Sequence, residues 1–453
     1  MKVTVVGTGY VGLTTAVSLA YLGHNVIGID KDEQKIAMLL EEKSPIHETG
    51  IEVLLKEVRH NLYFTSNTLE AVGLSDIIII AVGTPSRPDG SADTQFVENA
   101  VREIAEGFLD GHTYIIVMKS TVPIGTNRRV QYVIEATLRE KDIKAEFFVA
   151  SNPEFLREGM ALWYSFFPDR IVIGSEHNEV IEKLRLLFKP ILEQTFSPPA
   201  FIPRPQGYQL PPLIITDPTS SEMIKYAANA FLATKISFVN EIAGLCEKVG
   251  ADIVEVTRGM GADPRIGAPF LQAGLGWGGS CFPKDTKALQ ALANEYDYSL
   301  PILKAVCEIN QRQIYLIIEM LQKHLKVLRG RTIGIFGLAF KPNTDDIRDA
   351  PALEIIKELL TRDATIKVHD PIAMVNMRNV LSSNQVEYCE DPYVLANQCD
   401  AIIIATEWEA YRHLDYSRVK TNMRNPILID ARNCLDVHEI RRLGMIYNGI
   451  GRV

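Results

Sequence analysis

The 453-residue chain holds six cysteines, at positions 246, 281, 307, 389, 399 and 434, and one of them has surroundings that suit a nucleophile. Cys281 lies in Gly276-Trp277-Gly278-Gly279-Ser280-Cys281-Phe282-Pro283-Lys284-Asp285, where Pro283 fits the first turn of a helix. A thiol at a helix N-terminus faces backbone amides and the positive end of the helix dipole. These lower its pKa from about 8.5 into a range of roughly 3.5 to 7.5. The spacing predicts a nucleophilic thiolate at Cys281, while the other five, on helical or strand-like segments, read as small buried hydrophobes. The six form no CxxC pairs and have no metal-ligand spacing, so neither a metal nor disulfide staples are expected, and the thiols read as reduced and cytoplasmic.

A second constellation opens the chain. Gly7-Thr8-Gly9-Tyr10-Val11-Gly12 is a GxGxxG between an apolar run and a helix-period segment. There, glycines let backbone approach a pyrophosphate at a helix N-terminus. Asp30 ends the next apolar run, at the spacing where a carboxylate bonds ribose hydroxyls and repels a 2'-phosphate. The pattern predicts dinucleotide binding, with NAD as cofactor. Lys225 and Asn229 stand four residues apart on a mostly apolar helical segment, where buried polar groups need partners. Glu154 and Glu158 in Ser151–Gly159, Thr121 in Lys119–Pro123, and Gly83-Thr84-Pro85 all follow strand-like runs, so they are expected at the sheet edge where doubly wound folds bind ligands.

These residues need a scaffold. Apolar runs at Val3–Val6, Val26–Ile29, Ile77–Val82, Ile115–Met118, Phe147–Ala150 and Ile171–Ile173 are continuous enough for strands covered on both faces, with a helix over about Val11–Leu22 after the first. The second half repeats the plan with Thr332–Phe336, a helix over Ala352–Leu360, Ile366–Val368 leading into Asp370, then Ala401–Ala405 and Ile427–Ile429. Between the halves, Thr219-Ser220-Ser221-Glu222 has the spacing of a capping box and predicts a helix over about Ser220–Lys248. The reading is an α/β chain of two Rossmann-like doubly wound parallel-sheet domains, 1–200 and 330–453, joined by a central helical domain, 219–329. A proline-rich linker over 201–218, part of an irregular Ser197–Pro218 stretch, comes before the helix. The net charge of −9 argues against nucleic acid, and no apolar run approaches the roughly 20 residues a membrane helix needs.

Gly278–Asp285, with Gly7–Gly12, Glu154–Gly159, Lys225–Leu232, Asp263–Gly267 and Phe340–Arg348, resembles the UDP-glucose/GDP-mannose dehydrogenase family over essentially the whole chain. Pro168–Gly174 and Thr406-Glu407-Trp408 look like its UDP-glucose branch. The resemblance implies a four-electron oxidation of UDP-glucose with two NAD through a thiohemiacetal and a thioester on Cys281, or the same chemistry on a UDP-N-acetylhexosamine or GDP-mannose. It further implies that Lys225 and Asn229 stabilise the oxyanion, and that Lys225, or a water ordered by Asp285 and Thr121, takes the alcohol proton. Glu154 would activate the hydrolytic water, while Glu158 would order water and contact the cofactor. The cofactor would also meet Gly7, Gly9, Tyr10, Val11, Gly12, Lys35, Thr84, Pro85, Lys284 and Arg348. The sugar nucleotide would meet Phe155, Leu156, Gly278, Phe340, Lys341 and the loop Phe270, Leu271, Gln272, Ala273, Gly274. A homodimer through the central helix is implied, with Arg265 reaching the neighbouring subunit's site. Gln272 departs from the Asn or Lys expected in that loop.

Overall fold

The computed structural model describes residues 1–452. The chain divides into two compact units, Met1–Ala227 and Ala228–Val453. Each is built on one sheet.

The first unit holds β1 (Lys2–Val6), β2 (Asn25–Ile29), β3 (Leu62–Thr65), β4 (Ile77–Ile80), β5 (Thr113–Met118), β6 (Glu146–Ser151), β7 (Ile171–Gly174) and β8 (Leu213–Thr216). They lie side by side in the order β3-β2-β1-β4-β5-β6-β7-β8. The unbroken Ile77–Ile80 run is explained by its two faces. Ile77 and Ile79 pack with Leu13 and Val17 of the Tyr10–Tyr21 helix, while Ile78 and Ile80 pack with Val97, Val101 and Val130 on the other side. A strand covered on both faces has no side for polar residues.

Two features depart from the sequence reading. β7 meets β6 antiparallel, at Ser151 and Gly174, so the first sheet is parallel except at that junction. The proline-rich stretch also contains β8, which pairs parallel with β7 from Leu213 to Thr216. Pro211 and Pro212 precede this strand rather than interrupt it, and a proline just before an edge strand removes no ladder bond.

The second unit holds β9 (Thr332–Phe336), β10 (Thr365–His369), β11 (Glu387–Tyr388), β12 (Ala401–Ile404), β13 (Ile427–Asp430) and β14 (Ile446–Gly449) in the wholly parallel order β11-β10-β9-β12-β13-β14. In both sheets the strand order reverses beside the first strand, between β1 and β4 and between β9 and β12. That reversal opens a crevice at the strands' C-terminal ends.

The repeat extends to a carboxylate. Asp30 follows β2 and Asp370 follows β10. Asp30 accepts from the Thr8 amide at 2.9 Å, the Thr8 hydroxyl at 2.8 Å and the Asp32 amide at 3.1 Å. Asp370 is fully buried and accepts five N–H groups, from Leu338, Ala339, Ile372, Ala373 and the Trp408 indole, at 2.7 to 3.1 Å.

The Pro218–Val249 helix is capped by Asp217, whose Oδ1 accepts from the Ser220 amide at 2.8 Å. The capping box read from Thr219 to Glu222 does not form. Pro218 starts the helix two residues earlier than expected, and Glu222 is engaged elsewhere.

Candidate active site

In the first unit the Gly7–Gly12 turn is pressed against the end of β4. Gly7 has φ +94°, and a Cβ there would lie 2.8 Å from the Ala81 carbonyl oxygen. A Cβ on Gly12 would overlap the Gly7 carbonyl. Gly9 differs, since a Cβ there meets nothing within 4 Å, and no side chain caps the Tyr10–Tyr21 helix that it begins. An open approach to an uncapped helix N-terminus suits a pyrophosphate. Burial alone would raise the Asp30 pKa, but the Thr8 and Asp32 donors and Lys35, 3.8 Å away, hold it below the usual carboxylate range. Asp30 is therefore ionised at neutral pH, and these residues fit NAD. Tyr10 is tied by its hydroxyl to the His47 carbonyl, Val11 starts the helix, and Pro85 accepts the Asp93 amide.

The ends of β4, β5 and β6 carry the rest of this half. The Thr84 hydroxyl donates to the Thr121 carbonyl at 2.7 Å, joining two of the loops read from sequence. Glu154 and Lys225, both buried, pair at 2.9 Å, and the second Glu154 oxygen accepts the Leu156 amide at 2.5 Å. Phe155 lies under the Arg170 guanidinium, 3.7 Å from its ring centroid, and Glu158 is half-buried on the same loop. Lys119 is a residue that the sequence reading did not single out. Its Nζ donates to Asn152 at 3.1 Å, and the Asn152 amide donates to the Val172 carbonyl at 2.8 Å. Burial pushes the Lys119 pKa down to about 8, with Lys225 adding to the shift and Glu154 opposing it. The signal available was its position, directly after a buried strand and beside Thr121.

In the second unit Cys281 is the N-cap of the Phe282–Glu295 helix, with Pro283 in its first turn. The half-buried thiol has the Ser280 hydroxyl 3.5 Å away. The glycines ahead of it allow close packing. Gly279 has φ +84°, and a Cβ there would lie 2.6 Å from the Phe340 ring, while one on Gly278 would lie 2.1 Å from the Asp349 carbonyl oxygen. Asp285, one turn into the helix and buried, accepts from the Asn229 amide and from Lys284, each at 2.6 Å. Asn229, Lys284 and Asp285 thus form one network below the cysteine turn.

Phe340 and Lys341 follow β9 at the second crevice, with the Lys341 ammonium 5.4 Å from the Phe340 ring centroid. Arg348 pairs with Asp346 at 2.7 Å, and its carbonyl accepts the Gly279 amide at 3.0 Å. In the Phe270–Gly274 loop, Phe270 has φ +67°, Leu271, Ala273 and Gly274 are buried, and Gln272 is exposed. The Gly274 amide is anchored on Asn240 at 2.8 Å. Arg265 is well exposed and pairs with Asp263 at 2.6 Å. Arg432, absent from the sequence reading, donates to the carbonyls of Ala405, Gly276 and Phe340. One guanidinium thereby ties the glycine-rich approach of Cys281 to the crevice loops. Its partners lie up to 156 residues away, so no local pattern reveals it.

Of the remaining cysteines, Cys246 is buried in the core and four others have perturbed thiols. Burial pushes the thiols of Cys307, Cys389, Cys399 and Cys434 up, Cys389 to about 11 and Cys399 to about 12.

Comparison with known proteins matches three stretches to one family. Residues 1–192 match the NAD binding domain of the UDP-glucose/GDP-mannose dehydrogenase family, 219–312 its central domain and 334–437 its UDP binding domain. The chain belongs to this family. As a UDP-glucose/GDP-mannose family dehydrogenase it uses NAD, held by the unit that carries Gly7–Gly12 and Asp30. Among similar family members is UDP-glucose 6-dehydrogenase TuaD of Bacillus subtilis (strain 168), 42% identical over all of this chain and 93% of its own. UDP-glucose 6-dehydrogenase of Rhizobium meliloti (strain 1021) is also 42% identical, over the whole of both chains. A solved UDP-glucose dehydrogenase from Pyrobaculum islandicum superposes with a TM-score of 0.88 at 39% identity, covering 100% of this chain and 98% of that one. Among the described residues no helix is long and apolar enough to cross a membrane.

Proposed function

We propose that this family member oxidises the C6 primary alcohol of UDP-glucose to the carboxylate of UDP-glucuronate, consuming two NAD and one water per sugar, with Cys281 as the covalent nucleophile. The observation that carries the reading is the placement of Cys281 as a helix N-cap in a chain whose full-length relatives, at 42% identity, are named for UDP-glucose oxidation. When bound, NAD supplies the hydride acceptor for each oxidation. In the first, the alcohol loses its O–H proton to a water ordered by Asp285 and Thr121, as C6 loses hydride to become an aldehyde; Lys225, the other base that the family resemblance offers, already carries its proton in the pair with Glu154. The Cys281 sulfur then adds to the aldehyde carbon, and the oxygen takes a proton to give a thiohemiacetal. Loss of that proton and of the second hydride leaves a thioester. Water, deprotonated by Glu154, adds to the thioester carbon and the C–S bond breaks, giving the carboxylate and restoring the thiol.

Preorganised donors at the developing oxyanion contribute several kcal/mol to such steps. The bond from Asn229 to Asp285 uses one of the two hydrogens on its amide nitrogen and orients the other. Lys225 holds Glu154 ionised and therefore able to accept a proton. Glu158 is assigned to water ordering and cofactor contact. Lys35, Thr84, Pro85, Lys284 and Arg348 are assigned to NAD, and Phe155, Leu156, Phe270–Gly274, Gly278, Phe340 and Lys341 to the sugar nucleotide.

We further propose a homodimer through the Pro218–Val249 helix, with Arg265 reaching the neighbouring subunit's site. Phe231, Phe238 and Leu245 recur every seven residues on that helix and are 65%, 46% and 58% exposed, an apolar stripe that a second copy would cover. The free thiols suit a reducing cytoplasm.

The test is NADH formed per sugar consumed, followed by absorbance, with UDP-glucose, UDP-N-acetylglucosamine, UDP-N-acetylmannosamine and GDP-mannose offered separately to wild type and Cys281→Ser. Two NADH per UDP-glucose, lost in the variant, is the expected result. Turnover on a different nucleotide sugar alone would overturn the substrate, and full turnover by Cys281→Ser would overturn the thiol chemistry.

A further inference from the structure

Glu222 has the spacing of a residue that caps its own helix, yet its carboxylate serves another. Both oxygens are directed at the N-terminus of the Thr126–Lys141 helix. Oε2 accepts the Gly125 amide at 2.6 Å, and Oε1 accepts the Asn127 amide at 2.9 Å and its side-chain amide at 2.6 Å. The helix has no cap of its own, because its N-cap is Gly125, with φ +92° and no side chain to accept a bond. Helix N-termini leave donors unsatisfied, and a buried one needs an acceptor from elsewhere. Glu222 is that acceptor and is itself 3% exposed.

This acceptor sits at a particular place in the chain. The loop between β5 and the Thr126–Lys141 helix carries Lys119, Ser120 and Thr121. Its first half is pinned by the Ser120 hydroxyl on the Val82 carbonyl and by Thr84 on the Thr121 carbonyl, each at 2.7 Å. Its second half ends at Gly125, on Glu222. One residue before Glu222, the Ser221 hydroxyl donates to Ser151 at the end of β6 at 2.9 Å, and three residues after it Lys225 pairs with Glu154. Three neighbouring residues of one helix thus register the end of β6, the loop after β5 and the Glu154 carboxylate against one another.

We infer that Glu222 is a positioning residue for the reaction, holding the Thr121 loop in register with Lys225 and Glu154. The inference rests on the chemistry proposed above for Thr121, Lys225 and Glu154. A misplacement of about 1 Å at such groups costs on the order of 100-fold in rate even when it originates outside the chemistry.

The experiment compares full-length wild type, Glu222→Gln, Glu222→Ala and Asn127→Ala by kcat, by KM for both substrates, and by amide hydrogen exchange across residues 121–130. Glu222→Gln keeps one acceptor oxygen for Asn127 and loses the Gly125 bond, so a fall of roughly 10-fold in kcat is expected, against roughly 100-fold for Glu222→Ala. KM should stay within about twofold, because the groups displaced act in the transition state rather than in binding. Exchange at 121–130 should quicken in the same order. An unchanged kcat in Glu222→Ala, a loss confined to KM, or a fall in kcat without faster exchange at 121–130 would each overturn the inference. If Glu222→Ala does not fold, Glu222→Gln and Asn127→Ala decide it by the same readouts. Should the wild type oxidise a different nucleotide sugar, the series is run on that sugar. Should it oxidise none, the functional reading falls and exchange alone decides whether Glu222 holds the loop.

Discussion

The Nζ of Lys225 stands 2.9 Å from Oε1 of Glu154, with the two side chains 4% and 6% exposed. Burial alone would raise the pKa of Glu154, but Lys225, the Leu156 amide and Lys119 outweigh it and hold the carboxyl below its usual range. The pair is therefore ionic and largely buried. Removing one member strands the other charge, which costs about 3–5 kcal/mol, whereas removing both is often close to neutral. Lys225→Met is expected to lower the urea unfolding free energy by that amount, and Lys225→Met with Glu154→Met to recover most of it. Equal losses in the single and double variants would mean that the pair is not coupled.

Lys119 gives a pH signature opposite to that of a stabilising ion pair. Its folded pKa of about 8 lies below the unfolded lysine value of about 10.4. Below pH 8 both states carry the proton and the fold bears the full cost of burying the charge. Between about 8 and 10.4 the unfolded state binds more protons, so stability rises with pH. Unfolding measured from pH 7 to 10 should show the wild type gaining on Lys119→Met across that window. Parallel curves would mean that Lys119 titrates as an ordinary lysine.

The cysteines should separate by reactivity. Thiols raised to about 11 and 12, as at Cys389 and Cys399, hold almost no thiolate at pH 7, and those at Cys307 and Cys434 are raised as well. One equivalent of iodoacetamide at pH 7 is expected to label Cys281 first and to abolish NADH formation in proportion, read by peptide mass spectrometry. Loss of activity with label on a different cysteine would contradict the assignment.

Asp30→Ala removes the carboxylate that the proposed function assigns to the ribose. Hydrogen bonds to a charged group are worth about 1.5–3 kcal/mol, so KM for NAD should rise roughly 10- to 100-fold while that for NADP changes less. An unchanged ratio of the two KM values would show that Asp30 does not face the ribose.

Parallel strands were legible because burial on both faces leaves an unbroken apolar run, as at Ile77–Ile80 and Ala401–Ile404, both fully buried. The glycine turn after β1 and the proline after Cys281 were legible because backbone geometry restricts which residues fit. The antiparallel junction of β6 and β7 was not, since apolar runs carry no direction. β8 was hidden because its four residues follow two prolines. The partners of Glu222 and Arg432 were illegible for a different reason. Their hydrogen bonds span 97 and 156 residues, and a local pattern records what a side chain can do close by, not which distant donor or acceptor the fold brings to it. Glu222 read as a helix cap and is one, for a helix that starts 96 residues earlier.

Asp370 mirrors Asp30 in position but not in availability. A carboxylate offers about four lone-pair sites, and Asp370 already receives five N–H groups from its own unit. It has no capacity left to read a ribose. The second unit therefore repeats the fold but not the available carboxylate, and in the proposed reaction the two hydride acceptors take the Asp30 seat in turn. The half-oxidised sugar has to outlast the exchange, and a covalent tether to Cys281 is what would keep it from leaving with the first spent cofactor.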